Sequence, residues 1–303
     1  MSSSRTAVDV DGRQLSLSNL GKNLYPEFTK GEVIDYYARI APVMLPHLKD
    51  RAATRIRWPD GVDGGKFFEK NAPSHTPGWI RTATVPSPGS TRGRETLDYI
   101  VVDDLPTLVW CANLAALELH VPQWKVGPRG EVHTPDLVVF DLDPGPPATI
   151  VDACEVASLL AELLGEEHGL DACPKTSGKK GLHVYVPVEE PEEAERTSRF
   201  AKDIAERLAK DHPGLVVAKM EKRLRKGKVF VDWSQNNPAK TTVAAYSLRA
   251  ASRPSVSTPV TWDEIESCER AADLAFTPNE VLVRVDEHGD LLKPLLDDHR
   301  PLP

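Results

Sequence analysis

The fold class follows from the stretch LVVFDLDPG, residues 137–145, in which a strand-like apolar run carries two acids one residue apart. Four consecutive hydrophobic residues before a Pro-Gly turn are typical of a buried β-strand. Because residues two apart on a strand project from the same face, Asp141 and Asp143 would present two carboxylates side by side. Buried carboxylates are costly unless a cation neutralises them or their pKa rises.

Two roles are open for this acid pair. Carboxylate oxygens are hard ligands that favour magnesium or manganese. The alternative is that one or both aspartates cap the turn DPGPP, a common role for Asp, and the motif alone supports both roles equally. Asp232 lies in the equally apolar strand KVFVDWS. Three strand acids favour a carboxylate cluster of the kind that holds two metals in phosphoryl or nucleotidyl transfer, over an edge-strand Asp that faces water.

A glycine-rich basic loop lies between these strands, in TSGKKGLHVYV, residues 176–186. Glycines let a backbone approach a polyphosphate, Lys180 supplies charge, and Ser177 and His183 add hydrogen-bond donors. The loop lacks the Gly-x-x-x-x-Gly-Lys-Ser/Thr spacing of a Walker loop. A β-turn with surface lysines would be favoured without the acid strands, so the phosphate-binding interpretation depends on them.

Composition bounds the class of protein. The chain has 303 residues, a formal net charge of -8 and a pI near 5.6, which alone argues weakly against a nucleic-acid binder. The basic strip KRLRKGK, residues 222–228, favours phosphate binding and a solvated hairpin tip equally. Four scattered cysteines lack zinc-site spacing, so no zinc is expected. The absence of a signal peptide and of an apolar run of about 18 residues predicts a cytoplasmic protein without a membrane span.

The middle of the chain alternates strands and helices, which predicts an α/β or α+β arrangement with a sheet covered by helices. A capping box at Thr29 and Glu32 predicts a helix over residues 29–50. Further helices are predicted at residues 105–119, 151–164 and 192–210, with a short one after Thr261. Besides the acid strand, strands are predicted at residues 53–58, 66–69, 183–188 and 228–234.

Basic and aromatic residues cluster upstream of these elements. Lys22, Lys30, Arg55 and Arg57 flank GKFFEK, in which Phe67 and Phe68 are adjacent. Adjacent strand residues point to opposite faces, so one ring could stack on a base while the other enters the core. Core packing is favoured over a stacking platform. His120 is predicted to be a hydrogen-bonded structural histidine rather than a ligand.

Six motifs together resemble the bacterial end-joining polymerase family, the LigD-type polymerase domains of the archaeo-eukaryotic primase superfamily. They are NLGKNLYP, RWPDGVDGGKFFEK, LELHVPQW, VFDLDPG, TSGKKGLHVYVPV and KVFVDWSQNNPAKTTVAAYSLR, and they cover nearly the whole chain. The resemblance implies an α+β primase-polymerase fold. An N-terminal α/β module, residues 1–125, would contact DNA ends and template. An RRM-like catalytic core with a C-terminal packing segment would occupy residues 126–303, and both would form one compact unit.

The resemblance also implies an activity and roles for individual residues. The activity is template-directed addition of nucleotides to a 3′ hydroxyl at DNA gaps and breaks, commonly with a preference for ribonucleotides and manganese. Asp141 and Asp143 would bind two divalent ions, Mn²⁺ or Mg²⁺, and Asp232 would complete the site that lowers the pKa of the attacking 3′ hydroxyl. The nucleotide-binding residues would be Ser177, Lys180, His183, Gln235, Arg249 and His120.

The implied DNA contacts lie mostly upstream. Lys22 and Lys30 would hold the 5′ phosphate of a broken end, with Arg57 in the same basic group. Phe67 and Phe68 would stack against the template. Arg225, in the basic strip, would position the primer strand or the template.

The expected partners are gapped or broken DNA, NTP or dNTP substrates and, as a hypothesis, Ku and a separate DNA ligase. The chain ends near the boundary of the polymerase domain, so a stand-alone, monomeric, nucleoid-associated member of the family is expected. Two alternatives remain: a non-catalytic module that bridges DNA ends, and a phosphatase of the haloacid-dehalogenase type. That phosphatase shares the Asp-x-Asp motif but needs a later acidic pair, whereas VDWSQ offers a single Asp.

Overall fold

The computed structural model describes residues 5–87, 95–191 and 193–303, and its helices and strands form a mixed α and β architecture. The helices are α1 (Lys30–Leu48), α2 (Leu105–Asn113), α3 (Ile150–His168), α4 (Glu195–Asp211), α5 (Trp262–Glu266), α6 (Pro278–His288) and α7 (Pro294–Asp297), with 3-10 turns at Lys222–Leu224, Trp233–Asn236 and Ala271–Leu274.

The strands mostly pair in antiparallel fashion. They are β1 (Arg5–Val10), β2 (Arg13–Ser18), β3 (Asn23–Tyr25), β4 (Phe28–Thr29), β5 (Ala52–Arg57), β6 (Phe67–Glu69), β7 (Thr82–Pro86), β8 (Thr96–Val101), β9 (Ala116–Val121), β10 (Leu137–Pro144), β11 (Cys173–Thr176), β12 (Leu182–Pro187), β13 (Val216–Val217), β14 (Val229–Asp232), β15 (Thr242–Val243), β16 (Leu248–Arg249) and β17 (Ser255–Val256).

The sheet that carries the acid strand has the order β11-β12-β10-β14-β13. Side chains alternate across β10, so Val138, Phe140 and Leu142 are buried in the core formed with α3 and α4. Asp141 and Asp143 consequently project from the opposite face. Strand register brings two neighbours beside the first acid, since Asp141 pairs with His183 on β12 and with Asp232 on β14.

The other large sheet has the order β15-β9-β5-β8-β7, and β6 also pairs with β5. The helix α1 packs beside α2 and begins at the expected capping box, in which Thr29 N donates to Glu32 at 2.6 Å. The strand β15 comes from the far side of the proposed boundary at residue 125, because it follows β14 in the chain. The division into residues 1–125 and 126–303 therefore stays a prediction. The strand β15 connects the two predicted units, because it pairs with β9.

One predicted element is wrong and several were missed. The predicted helix over residues 105–119 ends at Asn113, and β9 begins at Ala116 after Ala115 turns the chain with a φ of 58°. Apolar residues continue from α2 through Leu114 to Leu117, which hid the change of period from helix to strand. The elements that were not predicted include the strands β1, β2, β7, β8 and β11 and the helix α6. The predicted start of α4 at Glu192 lies outside the described residues.

The remaining predicted elements are confirmed. The helix α3 covers the predicted range, and α5 begins directly after Thr261. The strands β5, β6, β12 and β14 occur where their apolar runs predict them. Across the three described ranges, none of the helices combines the length and hydrophobicity that a bilayer crossing requires.

Candidate active site

The acid pair lies at the C-terminal end of β10, where the strand enters the Pro-Gly turn. Asp141 is largely buried and its Oδ1 lies 3.3 Å from Nε2 of His183. Burial, followed by the negative charge of Asp232, raises the pKa of Asp141 to about 7. Asp143 reaches solvent, yet partial desolvation and the charges of Asp141 and Asp232 raise its pKa to about 6. Within the described chain, neither acid forms an ion pair with a lysine or arginine, and the more distant charges of Arg249 near Asp141 and of Arg225 near Asp143 offset the negative charge only in part.

Asp232 stands beside Asp141 in the sheet, but its carboxylate is turned toward its own 3-10 turn. It accepts hydrogen bonds from Ser234 N at 3.0 Å and from Gln235 Nε2 at 2.9 Å, as well as from the Ser234 hydroxyl. Accordingly, no three His, Cys, Asp or Glu side chains of the described residues converge in a metal-holding arrangement. The structure thus brings the three acids onto adjacent strands without aiming all three at one point.

The donor chemistry of the acid pair nevertheless fits a hard divalent cation. Two carboxylates with raised pKa values share one face of β10 and open into a cleft. Carboxylate oxygens are the preferred ligands of Mg²⁺ and Mn²⁺, and a bound cation would remove the repulsion that raises both pKa values.

The loop that follows β11 closes on itself and against β10. Ser177 N donates to Gly181 O at 2.8 Å, and Gly181 N donates to Ser177 Oγ at 3.2 Å. Gly178 has a φ of +72°, and a Cβ there would lie 2.5 Å from Cγ of Arg249. Only glycine fits this position, because both the backbone and the close arginine exclude a side chain. Lys180 is exposed on the same loop.

A cleft of about 350 Å³ collects most of the residues predicted to bind nucleotide and metal. Its walls include residues from both large sheets and from the loop after β11. They are His120, Asp141, Asp143, Ser177, Lys179, Lys180, His183, Gln235, Thr241, Thr242, Val243 and Arg249. Asp232 is absent from the walls and reaches the cleft through its hydrogen bond with Gln235.

His120 is both a wall residue and a hydrogen-bonded histidine, as the sequence predicted for its structural role. Its Nε2 lies 2.9 Å from Oε2 of Glu118, two residues earlier on the same face of β9. Burial lowers the pKa of His120, which leaves the imidazole mostly neutral near pH 7. The hydrogen bond to Glu118 and a position in the cleft are therefore compatible.

Lys175 is a site residue that the sequence reasoning missed. It is buried behind His183, and its Nζ lies 2.6 Å from Ser257 Oγ and 3.0 Å from Nδ1 of His183. Burial lowers the pKa of both Lys175 and His183. When Lys175 donates to Nδ1, the ring proton of His183 is on Nε2, the nitrogen that faces Asp141. A lysine inside the buried strand CPKT was the available signal.

A second group of candidate residues forms what we call the basic-aromatic surface, made of Lys22, Lys30, Arg57, Phe67 and Phe68. Lys30 is buried and its Nζ donates to Ser18 O at 2.6 Å. Burial, then the charges of Lys22 and Arg57, lower the pKa of Lys30 to about 8. The three bases are thus close enough to repel one another.

The other two bases of this surface have acidic partners. Lys22 pairs with Asp60 at 2.8 Å, and Arg57 pairs with Glu69 at 2.6 Å. Because Glu69 lies on β6 opposite Arg55, this ion pair also ties β6 to β5. Lys30 is therefore the member of the group whose charge is least compensated.

The prediction that Phe67 and Phe68 pack in the core is wrong. Both rings are exposed, at 54% and 56%, on the short strand β6. The strand is three residues long and pairs with β5. Large exposed aromatics beside basic residues are typical of surfaces that stack on nucleic-acid bases.

Arg225 lies near the acid pair, and two contacts within the chain already engage its guanidinium. Its guanidinium stacks on Phe230 at 3.6 Å from the ring centre, and its Nη2 donates to Met220 O at 2.7 Å. Its positive charge nevertheless reaches Asp143, where it opposes the rise in pKa. Gly145 makes this approach possible, since a Cβ there would lie 2.0 Å from the carbonyl oxygen of Arg225.

A family model described as LigD, primase-polymerase domain, matches residues 29–292, a range that includes both acid strands and the basic-aromatic surface except Lys22. The chain belongs to this family. LigD primase-polymerase domains are nucleotidyltransferases, so the predicted family, fold class and enzyme class are confirmed, and the phosphatase alternative is not supported. Nucleotidyltransferases generally use divalent metals.

Two relatives of the chain are also LigD proteins. The multifunctional non-homologous end joining protein LigD of Mycolicibacterium smegmatis is 45% identical over 284 residues, 93% of this chain and 36% of the relative. The bifunctional non-homologous end joining protein LigD of Bacillus subtilis is 32% identical over 279 residues, 91% of this chain and 43% of the relative. This LigD-type chain therefore spans less than half the length of these two relatives.

A solved structure matches the fold of the LigD-type chain. The polymerase domain from Mycobacterium tuberculosis ligase D in complex with DNA has a TM-score of 0.87 and 43% sequence identity. The match covers 94% of this chain and 99% of that one, so the whole two-sheet architecture is shared.

Proposed function

We propose that this chain is a template-directed polymerase that adds nucleotides to 3′ hydroxyls at DNA gaps and breaks, as part of non-homologous end joining or gap repair. The observation that carries the proposal is the cleft, in which two carboxylates with raised pKa values face a loop and an arginine suited to phosphates. That combination is what a nucleotidyltransferase needs, because its reaction depends mainly on positioning and on charge stabilisation.

Asp141 and Asp143 would hold two divalent ions, Mn²⁺ or Mg²⁺, with Asp232 as the third carboxylate. When bound, these ions would lower the pKa of the attacking 3′ hydroxyl and neutralise charge on the transferred phosphate. The proposed participation of Asp232 requires its carboxylate to exchange the hydrogen bonds from Ser234 and Gln235 for a new partner.

The incoming triphosphate would lie along the loop after β11. Ser177, Lys180 and Arg249 supply a hydroxyl and two positive charges on that wall of the cleft. His183, with its Nδ1 engaged by Lys175, would donate from Nε2 toward the phosphate or toward Asp141. Gln235 and His120, at the remaining walls, would contact the nucleotide.

The DNA would lie on the basic-aromatic surface. Lys22, Lys30 and Arg57 would bind the 5′ phosphate across a gap, and the exposed rings of Phe67 and Phe68 would stack on the template. Arg225 would contact the primer strand or the template near Asp143. A DNA-bound relative and relatives named for end joining support this assignment. We also propose that the chain acts as a monomer on the nucleoid in the cytoplasm, and that Ku and a separate DNA ligase are its partners.

The decisive experiment is extension of a primer across a short gap whose downstream strand carries a 5′ phosphate. NTPs and dNTPs are supplied in turn with Mn²⁺ or Mg²⁺, which also determines the sugar and metal preferences. Templated addition by the wild type should fall by roughly a thousandfold in the Asp141→Asn, Asp143→Asn variant, since charge stabilisation is lost. The control variant, Asp203→Asn, Asp286→Asn, changes two exposed helical acids and should extend normally.

A non-catalytic end-bridging module is the second candidate, and the basic-aromatic surface favours it because exposed rings beside basic residues can bind DNA without a catalytic step. This candidate predicts salt-sensitive binding of DNA ends by the wild type with no extension under any metal or nucleotide. Extension that the double variant retains would contradict the assignment of Asp141 and Asp143.

A further inference from the structure

A buried carboxylate behind the cleft connects three of the cationic or imidazole groups on its walls. Glu118 lies on β9 with its side chain only 3% exposed, and it does not itself line the cleft. The side chains of His120, Lys179 and Arg249 stand between it and the cleft. The sequence reasoning missed Glu118, because its partners are up to 132 positions away in the chain.

Each oxygen of Glu118 has defined partners. Oε2 lies 2.9 Å from Nε2 of His120. Oε1 accepts from Lys179 Nζ at 3.2 Å and from the backbone N–H of Ala250 at 3.0 Å, and Nε of Arg249 is 3.5 Å away. The partners come from β9, from the loop after β11 and from the segment at β16, so one carboxylate links three separate segments.

The carboxylate is ionised despite its burial. Burial opposes ionisation, but the hydrogen bond from His120 and the charges of Arg249 and Lys179 outweigh it and lower the pKa of Glu118 to about 2. A buried anion with this many positive neighbours fixes their geometry, because any displacement of one partner leaves charge unpaired in a poorly solvated place.

Two of the partners have few other constraints. Arg249 Nε has no hydrogen-bond partner among the described residues, so its orientation depends on the charge of Glu118. Lys179 is 41% exposed, and without Glu118 its flexible chain would extend into solvent. Both groups face the part of the cleft where a triphosphate would lie.

We propose that Glu118 is a positioning residue that aligns Arg249, Lys179 and His120 for the incoming nucleotide without touching it. The inference rests on the proposed polymerase function and deepens it, since it assigns the alignment of the triphosphate-binding groups to a residue outside the cleft. Positioning of this kind acts on substrate binding, so its loss changes KM for the nucleotide more than kcat.

The test is steady-state extension on the gapped duplex with ATP or dATP opposite a template thymine, comparing the wild type with Glu118→Gln. Glutamine keeps the volume of the side chain and removes the charge. We expect KM for the nucleotide to rise roughly tenfold, as loss of one charge-assisted contact would produce, with a smaller change in kcat. Glu118→Asp keeps the charge and should recover part of this loss.

A matched control comes from a second buried acid with two basic partners. Asp136 pairs with Arg51 at 2.8 Å and with Lys125 at 2.9 Å, and it does not line the cleft. Asp136→Asn therefore repeats the loss of a buried charge at a place remote from the nucleotide. It should lower the thermal midpoint and leave KM unchanged.

The outcomes separate this inference from the proposed function. A wild type that extends, together with a raised KM in Glu118→Gln alone, supports the inference. A wild type that extends with an unchanged or lowered KM in Glu118→Gln overturns the inference and leaves the polymerase intact. A wild type that never extends overturns the proposed function first. If Glu118→Gln fails to fold, Glu118→Asp takes its place, and an unchanged KM in that variant is the overturning result.

Discussion

The cleft and the basic-aromatic surface each hold like charges that the fold compensates only in part, negative in the cleft and positive on the surface. In the cleft, burial and neighbouring acids raise the pKa values of Asp141 and Asp143 to about 7 and 6. On the basic-aromatic surface, burial and neighbouring bases lower the pKa of Lys30 to about 8. In each case the free fold holds like charges together at a cost to its own stability.

Two buried acids elsewhere in the chain show that the fold can compensate charge when it needs to. Asp136 has Arg51 and Lys125 beside it, and Glu118 has Lys179 and Arg249, and both acids have lowered pKa values. The contrast agrees with the proposed function, in which the acid pair and Lys30 meet partners from outside the chain. Under that proposal, the partner is a cation in the cleft and an anion on the basic-aromatic surface.

The largest expected effect is on the free energy of unfolding when the charge of Asp141 in the cleft is removed. Asp141→Asn removes the buried charge, so the metal-free variant should be more stable than the wild type at pH 8, on the order of 2–4 kcal/mol. A raised folded pKa means that stability is lost as pH rises from about 4 through 7. The difference in unfolding free energy between Asp141→Asn and the wild type should therefore become several-fold smaller at pH 4.5. Denaturant unfolding in a chelating buffer measures it.

The same samples test whether a cation is the missing partner. Mn²⁺ at pH 8 should raise the unfolding free energy of the wild type and have a much smaller effect on Asp141→Asn, because a ligand stabilises only the state that binds it. Equal stability of the two metal-free proteins at both pH values would show that the fold already compensates Asp141.

Much of the frame around these charges could be predicted because the signals are local. The run before Asp141 and the capping box at Thr29 and Glu32 each specify an element within a few residues, and both elements formed as predicted. The segment leading to His120 failed because the apolar residues of α2 continue through Leu114 to Leu117, so the alternation that Glu118 and His120 begin was too short to separate the strand from the helix.

The parts of the site that escaped prediction depend on distant partners. Lys175 meets Ser257 across the chain, and Glu118 meets Lys179 and Arg249, so no spacing in the sequence marks them. The rotation of Asp232 toward Gln235 is likewise a side-chain choice that strand register does not determine. The exposure of Phe67 and Phe68 was misjudged because the usual rule that large aromatics are buried does not hold on the short strand β6.

A smaller effect is expected at Lys30. The wild type should bind a 5′-phosphorylated gapped duplex more tightly than a 5′-hydroxyl one, and Lys30→Gln should reduce this ratio of affinities by roughly tenfold. That is the loss expected for one charge-assisted contact. Since the pKa of Lys30 is about 8 in the free protein, that preference should also decline in the wild type as pH rises from 7 to 9. Fluorescence anisotropy with the two duplexes measures both.

Lys22 supplies the control for this comparison within the same surface. Its charge already has Asp60 as a partner at 2.8 Å, so Lys22→Gln should cost less of the 5′-phosphate preference than Lys30→Gln. A preference that survives in Lys30→Gln, or that does not change with pH, would mean that the basic-aromatic surface does not read the phosphate.

The smallest effect is expected at the exposed rings, where no charge is involved. Phe67→Ala and Phe68→Ala should each weaken binding of gapped DNA by about fivefold, the lower end of what one stacked base contributes, and the loss should not depend on salt or on the 5′ phosphate. Neither change should lower the thermal midpoint, because both rings are already in water. A salt-dependent loss would instead mean that the rings act through Arg57, the residue opposite Phe67 on β5, and would reduce the basic-aromatic surface to a purely electrostatic one.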